Sequence, residues 1–366
     1  MAVYKIFADK DTTLYSDYDY MNTGMDAILE LTKNTSLNYF SQSSAARVLI
    51  KFSDADILDV RDKYIGTKDF KAYLKMYLAD STGLPTDYTL EAYAISGAWD
   101  MGTGRYGDTP ITYNGATWAY RKANKTGMWA SESLGIGVAA SYPTMNPGGG
   151  IWYTSSAASQ SFGVYTNKDV DMDVTGIVKS HISGTIPNHG IIVKTSGSLE
   201  FDENYNYILN FFSRDTNTVY PPMLEIKWDD SSYSVTGSTG TLATSQDLIV
   251  SLTNNKEMFN QYEKYRFRLN VRDQYPTRTF STSSLYLTPK YLPSSSYYSI
   301  YDVKSNTPVV DFDDTYTKIS ADTNGSYFDV HMYGLEPERY YKIQIKSVIN
   351  GSTVIFDDRY FFKVVE

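Results

Sequence analysis

"KYRFRLNV" (264–271) is the stretch that decides the fold. Tyr265, Phe267, Leu269 and Val271 fall on one side of a two-residue period, with Arg266, Arg268 and Asn270 on the other. Such alternation marks a half-buried strand, because successive side chains of an extended chain point to opposite faces. "YYKIQIKSVI" (340–349) repeats the pattern and meets "STVIFDD" (352–358) through Asn350-Gly351, the dipeptide best suited to a two-residue hairpin. A second Asn-Gly, at 324–325, separates "TKISA" from "SYFDVHMYGL". Residues 248–366 therefore read as an all-β module.

Toward the N-terminus the same texture continues. "ARVLIKF" (46–52), "KAYLKMYLA" (71–79), "YTLEAYAI" (88–95), "GIIVKT" (190–195), "YNYILNFFS" (205–213) and "MLEIKW" (223–228) are short apolar-rich runs bounded by Gly, Pro, Asn and Asp. Their spacing predicts an antiparallel sandwich. "DDSSYSVTGSTGTLATSQ" (229–246) is rich in Ser, Thr and Gly and reads as a linker. The expected layout is all-β: two antiparallel β-sandwich domains, 1–229 and 248–366, joined by a linker over 230–247.

Composition narrows the function classes. The 366 residues include 34 tyrosines, which suit pleated, half-buried surfaces and wet contact faces. The 33 basic and 42 acidic residues give a net charge of −9 with no basic run, which argues against nucleic acid. No apolar stretch reaches membrane-spanning length, and the N-terminus lacks a secretory pattern. With no cysteine, thiol nucleophiles and Cys-type zinc sites are excluded. A chain made in a reducing cytoplasm and used without glycosylation is expected.

The candidates for chemistry are few. Two of the three histidines, His181 and His189, lie in "DVTGIVKSHISGTIPNHGIIVK" (173–194). This reads as a short helix capped by Asp173 or Thr175, then a turn, then a strand. A zinc site would need ligands beyond these two, with His331 and carboxylates as the remaining donors. Asp169, Asp171 and Asp173 alternate, and "DADILD" (54–59) and "DFDD" (311–314) are also acidic. None has the glycine and distal glutamate of a calcium loop. They read as solvated carboxylates: no metal or cofactor is expected, with a structural calcium as the alternative. No nucleophile elbow or phosphate-cradling loop occurs, so no catalytic residue is assigned. Residues 97–163 form a Gly- and Thr-rich region studded with aromatics. Trp99, Tyr106, Trp118, Trp129 and Trp152 are therefore the candidate contact or binding residues, because long loops inside compact domains tend to carry function. In the second module, Arg266 and Arg268 form a candidate basic stripe, and Tyr275, Arg278 and Phe280 a candidate docking segment (275–280).

Two resemblances add to this reading. "DVTGIVKSHISG", "PNHGIIVK" and "FFSRDTNTVYPPMLEIKW" resemble the C-terminal half of a DNRLRE-type domain, and "DTTLYSDYDYMNTGMDAILELTK" with "ARVLIKF" resembles its opening. His181 stands where that family often has tryptophan. The resemblance implies a carbohydrate-module-like sandwich that binds or supports rather than catalyses. "LEPERYY" (335–341) resembles the Leu-x-Pro-x-x-x-Tyr corner of immunoglobulin- and fibronectin-like sandwiches. "YPTRTF", "YYSIYD", "YTKIS" and "PERYY" are similar to stretches in structural proteins of T4-like marine bacteriophages. The expectation is a non-enzymatic virion protein of the neck, tail or baseplate, assembled in the host bacterial cytoplasm. Its expected partners are other virion proteins, with further copies of itself in a symmetric homo-oligomer. The alternative is a glycan-binding adhesin whose aromatics stack on host sugars. Neither reading involves a membrane.

Overall fold

A computed structural model of the chain describes residues 2–34, 44–129, 137–138, 148–200, 202, 204–236, 240–253, 255–276 and 290–366. It is all-β: helices among the described residues are short, the run Asp54–Ile65 (α-helical to Val60, π-helical from Arg61) included. The chain forms two compact units that are discontinuous in sequence. The smaller comprises residues 1–5, 67–70 and 226–366, and the larger 6–66 and 71–225.

In the smaller unit, the strand Lys264–Asp273 behaves as its alternation requires: Phe267, Leu269 and Val271 are buried while Lys264, Arg266 and Asn270 are exposed. It pairs antiparallel with Gly325–His331 and Leu248–Leu252 in one sheet. A second sheet holds Ser296–Asp302, Arg339–Ile349 and Ser352–Val365. Side chains from both sheets interleave to form the core. Tyr298 of one stacks on Phe328 of the other at 4.6 Å, and Phe267 lies 5.4 Å from Phe328 and 5.9 Å from Phe362. Facing sheets with a filled interior make this a sandwich. The corner anticipated at 335–341 is present: the Tyr341 hydroxyl donates to the Glu336 carbonyl at 2.9 Å, and Leu335 is buried. Two short pairings are parallel rather than antiparallel, Met258–Asn260 with Ser352–Val365 and Thr241–Leu242 with Lys290–Tyr291.

The two Asn-Gly signals differ in outcome. Asn350 and Gly351 both take positive φ (51° and 79°), giving the expected two-residue turn. At the other site Asp322 pairs with Gly325, so Thr323 and Asn324 make the turn and Gly325 (φ 109°) opens the returning strand. The described residues 230–236 and 240–247 are not a free linker. Ser234 donates its amide to Ala321, the Ser232 carbonyl accepts from Ala321, and the Tyr233 hydroxyl reaches the Leu292 carbonyl. Ala243 is fully packed in the core. A sheet edge satisfies these polar backbone groups at 232–234, so this Ser-rich segment packs against the sheet.

The larger unit is organised around the strand Ser44–Phe52, buried at every position but Lys51. It pairs antiparallel with Ala2–Tyr15 on one side and Ile191–Thr195 on the other. From there the sheet continues through Tyr88–Ile95 to Ile151–Phe162. Its first residues also pair with Ile28–Asn34, which leads to Tyr207–Phe212 and Leu78–Thr82. One strand thus serves two sheet regions, and both its faces are covered.

The helix Thr175–Ile182 forms where expected and buries Ile177 and Val178, but Val174, without a side-chain cap, stands at its N-cap, and Asp173 one residue earlier accepts the Thr175 amide at 3.0 Å. Its following turn explains the Asn-x-Gly pattern. Asn188 donates to the Phe52 carbonyl at 3.1 Å, and a Cβ on Gly190 would stand 2.4 Å from the Ile50 carbonyl oxygen. The acidic run 54–59 is a helix start: Asp54 and Asp56 occupy the first turn of Asp54–Val60 behind the Ser53 cap. Negative charge is favourable there because unpaired helix amides point toward it.

Candidate functional site

Four of the five loop aromatics expected at the surface are inside. Trp99, Trp118, Trp129 and Trp152 are 4%, 2%, 1% and 7% exposed. For Trp118 and Trp152 the reason is a buried charge. The Arg47 guanidinium lies 4.9 Å from the Trp118 ring and 5.4 Å from the Trp152 ring, and it grips Glu200 at 2.7 and 3.1 Å. Its remaining arm donates to the Gly149 carbonyl at 2.9 Å. Lys194 stands 3.5 Å from Glu200 and 3.1 Å from Glu91. Indole rings cover the cation with their electron-rich faces. Trp99 and Trp129 satisfy their own N–H groups on the His189 and Thr117 carbonyls, at 2.8 and 2.9 Å. The aromatic loop region therefore supplies its own core, and these tryptophans are corrected from contact residues to packing residues.

Tyr106 alone of the five is exposed, at 55%, and it borders a cleft of about 350 Å³. Asn22, fully buried, positions the loop that carries it. Its amide donates to the Met101 and Ala116 carbonyls at 2.7 and 2.8 Å, and its oxygen accepts the Gly104 amide at 2.9 Å. Glycine is required around this hub: a Cβ on Gly102 would stand 2.2 Å from the Asn22 side-chain oxygen, and one on Gly104 2.2 Å from its backbone oxygen. The Tyr106 amide then donates to both oxygens of Asp26, each at 3.1 Å.

The ring of Tyr106 stands between Tyr15 and Tyr18, at 5.3 and 5.8 Å between centroids. Tyr15 ends the strand Ala2–Tyr15 and donates its hydroxyl to Glu30 at 2.6 Å. Asp17, Glu30, Thr32, Lys33, Asn34 and Asn206 complete the polar lining. Burial, a hydrogen bond with Tyr18 and the nearby Tyr18, Glu30 and Asp17 charges push the Tyr106 phenol up to about 12. Burial and Glu30 likewise raise that of Tyr15. These phenols stay neutral at physiological pH and act as ring faces and hydrogen-bonding groups. The cleft offers recognition chemistry: aromatic walls, carboxylates and amides. The run "YSDYDYMNTG" (15–24), dense in tyrosine and turn formers, was the signal for it.

The remaining predicted residues divide. Arg266 makes two bonds to Asp329 (2.7 and 3.0 Å) and Arg268 two to Asp322 (3.0 and 2.9 Å), both beside Tyr327. Acids on the adjoining strand and turn neutralise the basic stripe. Tyr275 is 77% exposed, while Arg278 and Phe280 lie outside the described residues. His181 is bound to the Ile186 carbonyl at 3.1 Å, and burial lowers the pKa of both His181 and His189. Asp171 and Asp173 pair with Lys75 and Lys71 at 2.7 and 2.9 Å. Among the described residues no group of three or more His, Asp or Glu is placed to hold a metal ion. Nor is any helix there long and apolar enough to cross a membrane.

No family model matches the chain, and a search of curated proteins returns no match. Among solved structures, a β-glucuronidase of Parabacteroides merdae aligns at 8% identity with a TM-score of 0.17. The alignment covers 84% of this chain and 30% of that protein, so the chain spans less than a third of its length. A superposition this loose carries no argument about fold or activity.

Proposed function

We propose that the chain is a non-catalytic structural component of a bacteriophage particle that works by protein–protein contact. The observation that supports this is the tyrosine left exposed on both units. Tyr18, Tyr20, Tyr106, Tyr113 and Tyr165 are 41% or more exposed on the larger unit, as are Tyr262, Tyr275 and Tyr340 on the smaller, Tyr205 marking the lower bound at 41%. Tyrosine is enriched at protein interfaces because its rigid ring gives area at little entropic cost while its hydroxyl tolerates water. The similarity of 248–366 to T4-like phage structural proteins supplies the kind of particle. The glycan-binding alternative relied on the tryptophans, and their burial removes its main carriers.

Immunogold electron microscopy of purified particles, with antibody against residues 248–366, tests the proposal. Discrete label at the neck, tail or baseplate is expected. Unlabelled particles that also lack the chain by mass spectrometry would overturn it, and label at fibre tips would favour the adhesin.

A further inference from the structure

The cleft beside Tyr106 has a definite electrostatic character. Its described walls are the rings of Tyr15, Tyr18 and Tyr106, and Asp17 and Glu30 line it. Asp26 lies directly beneath the Tyr106 backbone, and Asp108 adds to the negative field at Asp26. Against these four carboxylates stand Lys33, buried in the lining, and Arg105. The balance in and around the opening is therefore negative, and the ring faces add their own negative potential.

The same two loops show what such a surface takes. Lys125 places its ammonium 4.3 Å from the Tyr20 ring and 5.2 Å from the Tyr113 ring. Tyr20 belongs to the run that carries Tyr15 and Tyr18, and Tyr113 to the loop that carries Tyr106. At that position tyrosines from both segments clamp a lysine of this chain. At the cleft, tyrosines from both segments flank open volume of about 350 Å³, which exceeds the needs of one long basic side chain.

We propose that the cleft receives a lysine or arginine side chain presented by a neighbouring protein of the assembly. This rests on the contact role proposed above and names the chemistry of one contact. Ring faces hold the cation by its charge and the methylene stem by its apolar surface, while Glu30 and Asp17 supply the counter-charge. An anionic partner is disfavoured by the same carboxylates.

The test uses the full chain and defined probes: Nα-acetyl-lysine methylamide, Nα-acetyl-arginine methylamide, the glutamate analogue, and chitotetraose as a sugar. Titration followed by nuclear magnetic resonance of ring-labelled tyrosine should give saturable shifts for the two basic probes, weakened by added salt. Tyr106→Ala, at an exposed loop position, and Glu30→Gln, which keeps shape, should each weaken binding at least about fivefold. Hydrogen exchange over the remainder of the larger unit should stay unchanged in both variants. No saturable shift with either basic probe, equal binding by both variants, or preference for chitotetraose would each overturn the inference. Because the probes report only the cleft, such a failure with the chain still found in particles would leave the contact role standing.

Discussion

The two units solve the problem of a core in different ways. The smaller packs ring on ring: Phe259, Phe267, Phe328, Phe362, Tyr298 and Tyr341 form a continuous aromatic interior between two sheets. The larger places polar groups at its centre and wraps apolar residues round them, Arg47 with Glu200 between tryptophans and Asn22 beneath its glycine loop. Each ring contact is individually weak, and the aromatic core gains its stability from many of them together. A buried ion pair depends on both its members, because removing one partner strands the other away from water. Among the described residues, the loops of the larger unit are thus held by a few directional contacts, Arg47 on Gly149 and Asn22 on Met101 among them.

The largest expected effect breaks this difference open. Glu200→Ala should cost about 3–5 kcal/mol, since Arg47 is left buried without its carboxylate. Phe267→Ala should cost a similar amount, about 3–5 kcal/mol, through the cavity it leaves. Region-resolved hydrogen exchange separates them, because each loss should be confined to its own unit. In Glu200→Ala the loop bearing Trp118 should also lose protection, while Phe267→Ala should lower protection evenly over its sheets. A uniform response to both would mean that the ion pair does not organise the loops.

Acid should divide the units by sign. Burial between Tyr4 and Trp228 pushes the His331 pKa down to about 3. Unfolding lets this ring take a proton below its ordinary pKa near 6.5, so the smaller unit should lose stability as pH falls from about 6.5 toward 3. In the larger unit, burial pushes the Asp11 carboxyl up to about 7, the Arg214 amide opposing and Asp215 adding to the rise. Here the folded state keeps a proton that the unfolded state has released, so stability should rise as pH falls from about 7 toward 4. Between pH 7 and 5 each change amounts to about 2 kcal/mol, in opposite directions. Denaturation at the two pH values, read at unit-specific amides, checks it. Trends of the same sign that persist in His331→Phe and Asp11→Asn would refute the assignment.

Tyr341→Phe should have a smaller effect, about 1 kcal/mol, because it removes one hydrogen bond to the Glu336 carbonyl while keeping the ring in the core. Chemical denaturation should show a lower midpoint with an unchanged slope.

How much of this was legible in the sequence follows from the range of each interaction. The all-β class, the helix at 175–182 and the Asn350-Gly351 turn are written in neighbouring residues, and period and turn chemistry report them directly. The unit boundaries were not, because residues 1–5 and 67–70 join a unit otherwise formed by 226–366, and nothing local marks that exchange. The tryptophans misled for a related reason. Arg47 lies 71 positions from Trp118, so the charge that draws the rings inward is invisible beside them. Of the candidate site, only Tyr106 was singled out in advance. Tyr15, Tyr18 and Glu30 meet it through contacts that depend on Asn22, a residue whose importance lies wholly in long-range hydrogen bonds.

The smallest expected effect tests the surface of the smaller unit. Asp329 takes two bonds from Arg266 and lies 3.2 Å from Lys264, so Asp329→Asn leaves two partly exposed cations without their counter-charge. Water can reach both, and the loss should stay at or below about 1 kcal/mol. That is several-fold less than the loss at Glu200, although both carboxylates hold an arginine in the same two-pronged way. The ratio measures burial rather than geometry. If thermal denaturation instead shows Asp329→Asn costing as much as Glu200→Ala, the pair is shielded from water in solution. The strand face carrying Arg266 and Arg268 would then be a buried contact and no longer a solvated one.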